Sequence, residues 1–267
     1  TGETGYIRYW PGELPIVLSV PHDGAIAPAE IPDRTTGVTV RDSHARALAE
    51  AIRDALRERF GRAPHLIVCE LSRRKVDCNR ALAEGATDPV AIRTWREYHG
   101  AIDAAERAVL ARSPHGLYLD IHSHGHPKKR LEIGYLLPAD DLRLPDARLD
   151  ADDTVAARSS LRALSRRTPA KFSELVRGET SLGGLLDARG VAAVPSPAEV
   201  LAPTDPYFNG AYDIAAHGSR DGGRLDAAQF EVPAPQRDTP AHRAATAKAV
   251  AEALEVYFER HFGTKLR

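Results

Sequence analysis

The sequence has few of the residues that mark several classes of protein. Its 267 residues include two cysteines, Cys69 and Cys78, which are too few for a disulfide framework and lack the C-x-x-C spacing of a structural zinc site. No apolar run approaches the roughly 18 residues that span a bilayer, so we expect no membrane span. The 36 basic residues do not exceed the 37 acidic ones. Without a basic surplus, we expect neither a nucleic-acid partner nor attachment to a membrane surface.

Methionine is also missing, and the chain begins at Thr1. We take this to mean that an initiator methionine has been removed, which favours a secreted or periplasmic protein over a cytoplasmic one. Hydrophobic residues, at 43%, and charged residues, at 27%, are sufficient for a buried core and exclude wholesale disorder. A chain of this length forms one large domain or at most two small ones.

The order of the predicted elements indicates an α/β fold. Strand, helix, strand, helix, strand over the first half of the chain predicts a parallel sheet with crossover helices. No internal repeat, low-complexity tract or linker divides the sequence. We therefore predict a single domain over residues 1–267, with a helical and loop insertion at about 138–205. Strands are predicted at 16–20, 66–70, 117–121, 133–137 and 228–232, and helices at 43–60, 89–111 and 239–262.

Two histidines follow predicted strands, at the edge of the sheet where α/β proteins bind ligands. His22 lies in the segment Pro21-His-Asp-Gly24, and His122 lies in Asp120-Ile-His-Ser-His-Gly125. Neighbouring glycines allow a ligand to approach closely, so these positions suit a metal site better than a packing site. The alternative is that each is a turn histidine that bonds only to the backbone.

A hydrolytic zinc ion usually has three protein ligands, histidines and a carboxylate, and keeps one open position. Asp42, at the start of the first predicted helix, is the best placed carboxylate. Aspartate is also a preferred N-cap of helices, so a purely structural role explains the same residue. His44, His124 and Asp23 are rivals for the third position. The residues alone leave the third ligand open.

A basic segment at 71–80 follows the second predicted strand and contains Arg73, Asn79 and Arg80. The planar guanidinium group of arginine binds a carboxylate with two hydrogen bonds, and asparagine can add a donor beside it. This composition suits a pocket for a substrate carboxylate. The alternative is an ordinary solvated basic loop.

Glu231 shares one face of the strand at 228–232 with Gln229, while its neighbours on the other face are apolar. Two polar side chains on one face of an apolar strand suggest that this face lines a cavity. A buried glutamate near a metal site is the usual general base for activating water, and Asp120 is the first alternative for that role. An edge strand with one face in water is the structural alternative.

These segments, in this order, resemble the N-formylglutamate amidohydrolase family, a branch of the zinc carboxypeptidase-like hydrolases. The pair Asp-Cys-Asn-Arg and Asp-x-His-Ser is the most specific part of the resemblance, which extends through most of the chain. The matching segments are Pro21–Gly24, Asp42, Ser72-Arg73 with Asp77–Arg80, Tyr98-His99, Asp120–Ser123, Asn209–Tyr212 with His217-Gly218, and Gln229–Glu231.

The resemblance implies a three-layer α/β domain of the zinc-carboxypeptidase type, with a mostly parallel mixed sheet flanked by helices. It implies one zinc ion per chain, held by His22, Asp42 and His122, and it favours Asp42 over His44 as the third ligand. It also implies that Glu231 is the catalytic base.

For the substrate, the resemblance implies that Asn79 and Arg80 receive a carboxylate and that Arg73 lines the same pocket, where its charge stabilises the oxyanion. His124 and His217 are expected to contact the substrate or to support the residues that do. The predicted activity is zinc-dependent hydrolysis of an amide or peptide bond in a small substrate with a free carboxylate.

Two alternatives to this activity stay open. One is a carboxypeptidase or amidase that acts on short peptides or amino-acid conjugates with the same catalytic groups. The other is a metal- or ligand-binding protein without turnover, against which Glu231 argues because a binding site needs no base. The sequence predicts no oligomeric state.

Overall fold

A seven-stranded mixed sheet forms the centre of this computed structural model, which describes residues 2–151, 153–199 and 201–266. The strands lie in the order β1-β3-β2-β4-β7-β5-β6. Only the pairs β1–β3 and β5–β7 are antiparallel within this sheet. The strands are β1 (Ile7–Trp10), β2 (Ile16–Val20), β3 (His65–Cys69), β4 (Gly116–His124), β5 (Leu131–Gly134), β6 (Ala193–Val194) and β7 (Leu225–Pro233). The predicted mostly parallel mixed sheet is confirmed.

The helices include the three long ones that the sequence predicts. Gly61 and Gly263 end the first and last of these helical segments, with φ values of 71° and 62° that favour glycine. The last α-helix passes into a π-helical turn at Phe258–Phe262. The α-helices are α1 (Ala45–Phe60), α2 (Leu82–Gly85), α3 (Pro89–Leu110), α4 (Ala139–Leu142), α5 (Asp146–Leu149), α6 (Asp153–Arg158), α7 (Arg162–Arg167), α8 (Phe172–Arg177), α9 (Leu182–Asp187), α10 (Tyr212–His217) and α11 (Pro240–Tyr257).

Helices cover both faces of the sheet, and β2 shows why. Ile16, Leu18 and Val20 face the core formed with α1 and α11, whereas Val17 faces the core formed with α3. A strand buried on both faces is apolar along nearly its whole length, and Ile16–Val20, in which Ser19 is the one polar residue, is such a strand. The sheet therefore lies between two helical layers, and the predicted three-layer α/β fold is confirmed.

The two short strands β1 and β6 are not predicted from the sequence. In β1, which lies at the sheet edge, Ile7 is buried and the three residues after it are partly exposed, and β6 has only two residues. The strand predicted at 133–137 instead covers Leu131–Gly134. Leu136 has a φ of 65°, outside the extended region that a strand requires. The apolar run 133–137 therefore continues past the end of the strand.

The region at about 138–205 contains helices α4 to α9, none of the described ones longer than six residues. Their leucines join the same core as α1 and α11. The assignment of this region as an insertion into one domain stays a prediction. Among all described residues, no helix is long and apolar enough to cross a membrane.

The order of the strands creates a crevice beside β2. The chain runs from β2 through α1 to β3 on one side, and then through α3 to β4 on the other side of β2. Loops that leave the carboxyl ends of β2 and β4 therefore diverge, which opens a space for a ligand. His22 follows β2 by two residues, and His122 lies near the end of β4.

Candidate metal centre

Three buried side chains converge at this crevice. His22, Asp42 and His122 each offer one ligand atom, and these atoms lie within 4.8 Å of one another. The Nδ1 atoms of His122 and His22 lie 3.0 Å and 3.7 Å from Oδ2 of Asp42. The two imidazole rings are 4.9 Å apart between centroids and lie edge to face. The structure thus brings together two histidines and one carboxylate, as a three-ligand metal site requires.

Asp42 does not cap helix α1. The N-cap residue is His44, whose side chain makes no capping hydrogen bond. The N-terminus of the helix is bound by Asp23, whose Oδ2 accepts a hydrogen bond from the backbone N–H of Arg46 at 2.8 Å. The backbone N–H of Asp42 donates to the carbonyl of His22 at 3.0 Å, which joins the two loops. The carboxylate of Asp42 is therefore left to face the histidines.

Two further carboxylates orient these histidines from behind. Nε2 of His22 lies 2.6 Å from Oδ1 of Asp77, and Nε2 of His122 lies 2.6 Å from Oδ2 of Asp120. A neutral histidine that donates its Nε2–H to a carboxylate carries its lone pair on Nδ1, the nitrogen that is then available to a metal ion. Both Nδ1 atoms consequently face Asp42. No sequence motif indicates that Asp77 and Asp120 orient histidines, although Asp120 precedes His122 by two residues and so shares its face of β4.

The field at the centre favours positive charge. Burial opposes ionisation of Asp42, yet a hydrogen bond with His122 and the nearby ring of His22 hold the pKa of this carboxyl well below its usual range. Burial opposes protonation of His122, but Asp120 raises its pKa well above the ordinary value. Nδ1 of His22 is buried and has no hydrogen-bond partner. An acceptor without a partner beside an ionised carboxylate fits a site that holds a cation.

Glu231 lies next to this centre in the sheet. It pairs with His122 across β4 and β7 and with Glu132 across β7 and β5, and directly paired residues project from the same face. Its Oε1 accepts a hydrogen bond from Nε2 of Gln229 at 2.9 Å. Burial raises the pKa of Glu231 to about 8. The alternative that this strand lies at an edge of the sheet is excluded, because β7 lies between β4 and β5.

Arginines of two loops surround Asp77. Arg73 lies with Nε 3.3 Å from Oδ2 of Asp77 and Nη1 3.5 Å from Oδ1 of Asp42, and its side chain is 11% exposed. Nη1 of Arg34 lies 3.5 Å from the same Asp77 oxygen. Most of the basic segment at 71–80 is therefore buried or partly buried. Its exposed residue is Arg74, which pairs with Asp33. Arg34 could not be predicted from the sequence, because no motif surrounds it.

Asn79 and Arg80 lie in a turn and not in a strand. Nδ2 of Asn79 lies 3.1 Å from Nε2 of His122 and donates to Oε1 of Gln229 at 3.3 Å. Its Oδ1 accepts the backbone N–H of Asp213 at 2.8 Å. Arg80 is partly buried and donates to the carbonyl of Asn79 at 3.0 Å. The structure therefore places Asn79 against the centre and Arg80 beside it.

His44 and His124 lie elsewhere. The side chain of His44 is half exposed and lies 3.8 Å from Asp238. His124 belongs to a second group with His126 and Glu132. Its Nε2 donates to the carbonyl of Arg130 at 3.0 Å, and its Nδ1 accepts the backbone N–H of His126 at 3.1 Å.

His217 lies in a third group, on the side of the sheet covered by α3. Its Nε2 is 2.8 Å from Nδ1 of His99, and the Nε2–H of His99 donates to the carbonyl of Cys78 at 3.0 Å. Burial, together with His217, lowers the pKa of His99 to about 3, so His99 is neutral. Nδ1 of His217 faces the carboxylates of Asp103 and Glu106.

Solved structures share this fold. N-formylglutamate amidohydrolase from Ralstonia eutropha matches with a TM-score of 0.57 and 17% sequence identity, over 97% of this chain and 99% of that chain. A gene product from Agrobacterium tumefaciens matches with a TM-score of 0.50 and 16% identity, over 94% of each chain. No protein-family model and no curated protein matches the sequence. The resemblance stated from the motifs is confirmed for the fold.

Proposed function

We propose that this protein is a zinc-dependent hydrolase that cleaves an amide bond of a small substrate with a free carboxylate. One observation carries the proposal: two histidines present Nδ1 to Asp42, while buried carboxylates hold their Nε2 atoms. Such paired histidine–carboxylate contacts raise the basicity of metal ligands and fix their tautomers. The likeness in fold to N-formylglutamate amidohydrolase supports the same reaction class.

The residues fit zinc. Two imidazole nitrogens and one carboxylate oxygen are a common donor set of hydrolytic zinc sites, and the unpartnered Nδ1 of His22 supplies a free lone pair. In our proposal His22, Asp42 and His122 hold one zinc ion. When bound there, zinc supplies Lewis-acid activation of the scissile carbonyl and of water.

Glu231 acts as general base in this proposal. A cation bound at the centre would favour the ionised form of Glu231, which accepts a proton from the attacking water and returns it to the leaving nitrogen. Its pairing with His122 in the sheet register supports this role, because paired residues project from the same face of the sheet. Gln229 holds one carboxylate oxygen at 2.9 Å and so limits rotation of the side chain. Asp120 is the less suitable base, because it accepts hydrogen bonds from both Ser19 and His122.

Cationic groups complete the proposed site. Arg73 contacts Asp42 and is mostly buried, so its charge can stabilise negative charge that develops on the carbonyl oxygen. Arg80 would bind the substrate carboxylate as a planar donor. Asn79 would position His122 and Arg80, since its side chain contacts His122 and its backbone carbonyl accepts a hydrogen bond from Arg80. Roles of His124 and His217 in substrate contact stay predictions.

The direct test is hydrolysis of a panel of N-acyl amino acids and short peptides by the purified protein loaded with Zn²⁺. We expect amine release that a chelator abolishes and Zn²⁺ restores. His22→Ala should be inactive. The matched control is His261→Ala, which removes another buried histidine. Cleavage of peptides alone would favour the carboxypeptidase alternative, and zinc binding without any amine release would contradict the proposal in favour of a binding protein.

A further inference from the structure

A separate group of metal-binding side chains lies between α3 and α10. Asp103 and Glu106 are three residues apart on α3 and therefore project from the same face of the helix. His217 is the last residue of α10. Its Nδ1 lies 3.4 Å from Oδ1 of Asp103 and 3.7 Å from Oε1 of Glu106. The three ligand atoms lie within 4.8 Å of one another.

The positions of the ring protons leave a lone pair in this group. The Nε2 atom of His99 must carry hydrogen, because its partner, the carbonyl of Cys78, can only accept. Nδ1 of the neutral His99 is then an acceptor, so the hydrogen between the two rings belongs to Nε2 of His217. In the neutral form of His217, Nδ1 therefore carries a lone pair that faces two carboxylates.

This arrangement of acceptors needs a proton or a cation between its atoms. The side chain of His217 is 6% exposed, and Oε1 of Glu106 is buried with no hydrogen-bond partner. Three electron-rich atoms in partial burial repel one another unless a proton or a cation lies between them. Asp103 is about half exposed, which leaves the group open to solvent on one side.

We propose that Asp103, Glu106 and His217 form a second divalent-cation site, which takes a first-row metal such as Zn²⁺ or Mn²⁺. An imidazole nitrogen with two carboxylates suits these ions, whereas Ca²⁺ and Mg²⁺ prefer oxygen ligands alone. Solvent would complete the coordination through the open side at Asp103. The bound ion links α3 to α10 through these ligands.

The group formed by His124, His126 and Glu132 serves as a comparison. There Nδ1 of His124 already accepts a backbone N–H, and Nδ1 of His126 lies 2.9 Å from Oε1 of Glu132 as a donor. The other carboxylate oxygen of Glu132 accepts the backbone N–H of Phe208. Hydrogen bonds within the protein satisfy these atoms, so this group needs no cation.

The second site is distinct from the centre at His22. Helix α3 connects two parallel strands, so it runs antiparallel to them, and its later residues lie away from the carboxyl edge of the sheet. One path joins the two places, through His99 to the carbonyl of Cys78 and the adjacent Asn79. A cation at the second site therefore supports the turn that carries Asn79, without contact to the centre itself.

The test measures zinc binding in a background that lacks the first site. The His22→Ala/His122→Ala protein is freed of metal with a chelator and titrated with Zn²⁺ by calorimetry, and its melting temperature is followed with added Zn²⁺. We expect one equivalent bound and a melting temperature that rises with zinc concentration. Both effects should disappear when Asp103→Asn and Glu106→Gln are added. They should persist when the added change is Asp54→Asn, an exposed carboxylate of α1.

If His22→Ala/His122→Ala does not fold, the effect of Asp103→Asn/Glu106→Gln on zinc binding is measured in the wild-type background. There we expect two equivalents in the unaltered chain and one in Asp103→Asn/Glu106→Gln. Zinc binding that survives these two changes would overturn the proposal. So would the absence of binding in the His22→Ala/His122→Ala background, since a protonated His217 would then neutralise the carboxylates. Neither result depends on whether the protein hydrolyses amides.

Discussion

Nε2 of His22 lies 2.6 Å from Oδ1 of Asp77, although the two residues are 55 positions apart in the chain. This contact fixes the imidazole so that its unpartnered Nδ1 faces Asp42. Arg73 and Arg34 lie 3.3 Å and 3.5 Å from the other oxygen of Asp77. Asp77 therefore links the basic loop to the candidate metal centre.

We expect Asp77→Asn to weaken zinc binding by about 10–100-fold, the usual effect of losing a carboxylate that orients a histidine ligand. The amide can still accept a hydrogen bond but carries no charge to raise the basicity of His22. Competition with a chromophoric chelator measures the affinity. Asp33→Asn is the matched control, because Asp33 pairs with Arg74 and Lys75. Equal affinities of the two variants would show that Asp77 has no such role.

His22→Ala and His122→Ala should each lose one equivalent of zinc relative to the unaltered chain. Each change removes one of three ligands from a buried site, and two ligands do not hold zinc tightly. Elemental analysis of the purified proteins gives the metal content. His261→Ala should retain the full content. Unchanged zinc in either variant would remove that histidine from the site.

Glu231→Gln should keep its zinc and lose about 10²–10⁴-fold in turnover, the range for a missing general base. Glutamine preserves the shape of the side chain but cannot accept the proton of water. Steady-state rates and elemental analysis on the same preparation separate the two effects. A turnover close to that of the wild type would show that another carboxylate is the base, and Asp120 would be the first to test.

An amidated or esterified analogue of any good substrate should be hydrolysed far more slowly than the free acid. Leaving one member of a buried charge pair alone costs about 2–5 kcal/mol, which corresponds to tens to thousands of fold. Arg80→Ala should narrow this gap by slowing hydrolysis of the acid while it leaves the neutral analogue unchanged. The measurement is kcat/KM for each acid and amide pair. Equal kcat/KM values for acid and amide in the wild type would show that Arg80 does not bind the substrate carboxylate and has only a structural role.

His65 should make the fold less stable in acid. Burial, with a smaller contribution from Arg112, lowers its pKa from 6.5 to about 4. Its Nδ1 accepts the backbone N–H of Gly12, which protonation would prevent. Between these two pKa values the unfolded chain binds a proton that the folded chain does not, so stability falls as pH falls from about 6.5 to about 4.

Urea unfolding at pH 7 and at pH 4.5, with chelator present, measures this effect. His65→Gln offers an amide oxygen to Gly12 but has no ring to titrate. The wild type should therefore lose more free energy of unfolding than the variant between the two pH values. An equal loss would assign the acid sensitivity to other groups.

The sequence by itself determined the layers, five of the seven strands and the three long helices of the described chain. The apolar run Ile16–Val20 specifies a buried strand, and the spacing of apolar residues followed by Gly61 specifies α1 and its end. These signals are local, because backbone conformation and side-chain periodicity depend on neighbours in the chain. For the same reason the two-residue strand β6 and the half-exposed β1 gave no signal.

Only the tertiary structure decided which polar groups meet. The sequence left Asp42 and His44 as competing ligands, and the structure places Asp42 between the histidines because Asp23 binds the end of α1 in its place. It also separates His217 from the centre and puts it beside Asp103 and Glu106. Such contacts join residues that are tens of positions apart. They follow from strand order and helix packing, to which no local pattern in the sequence corresponds.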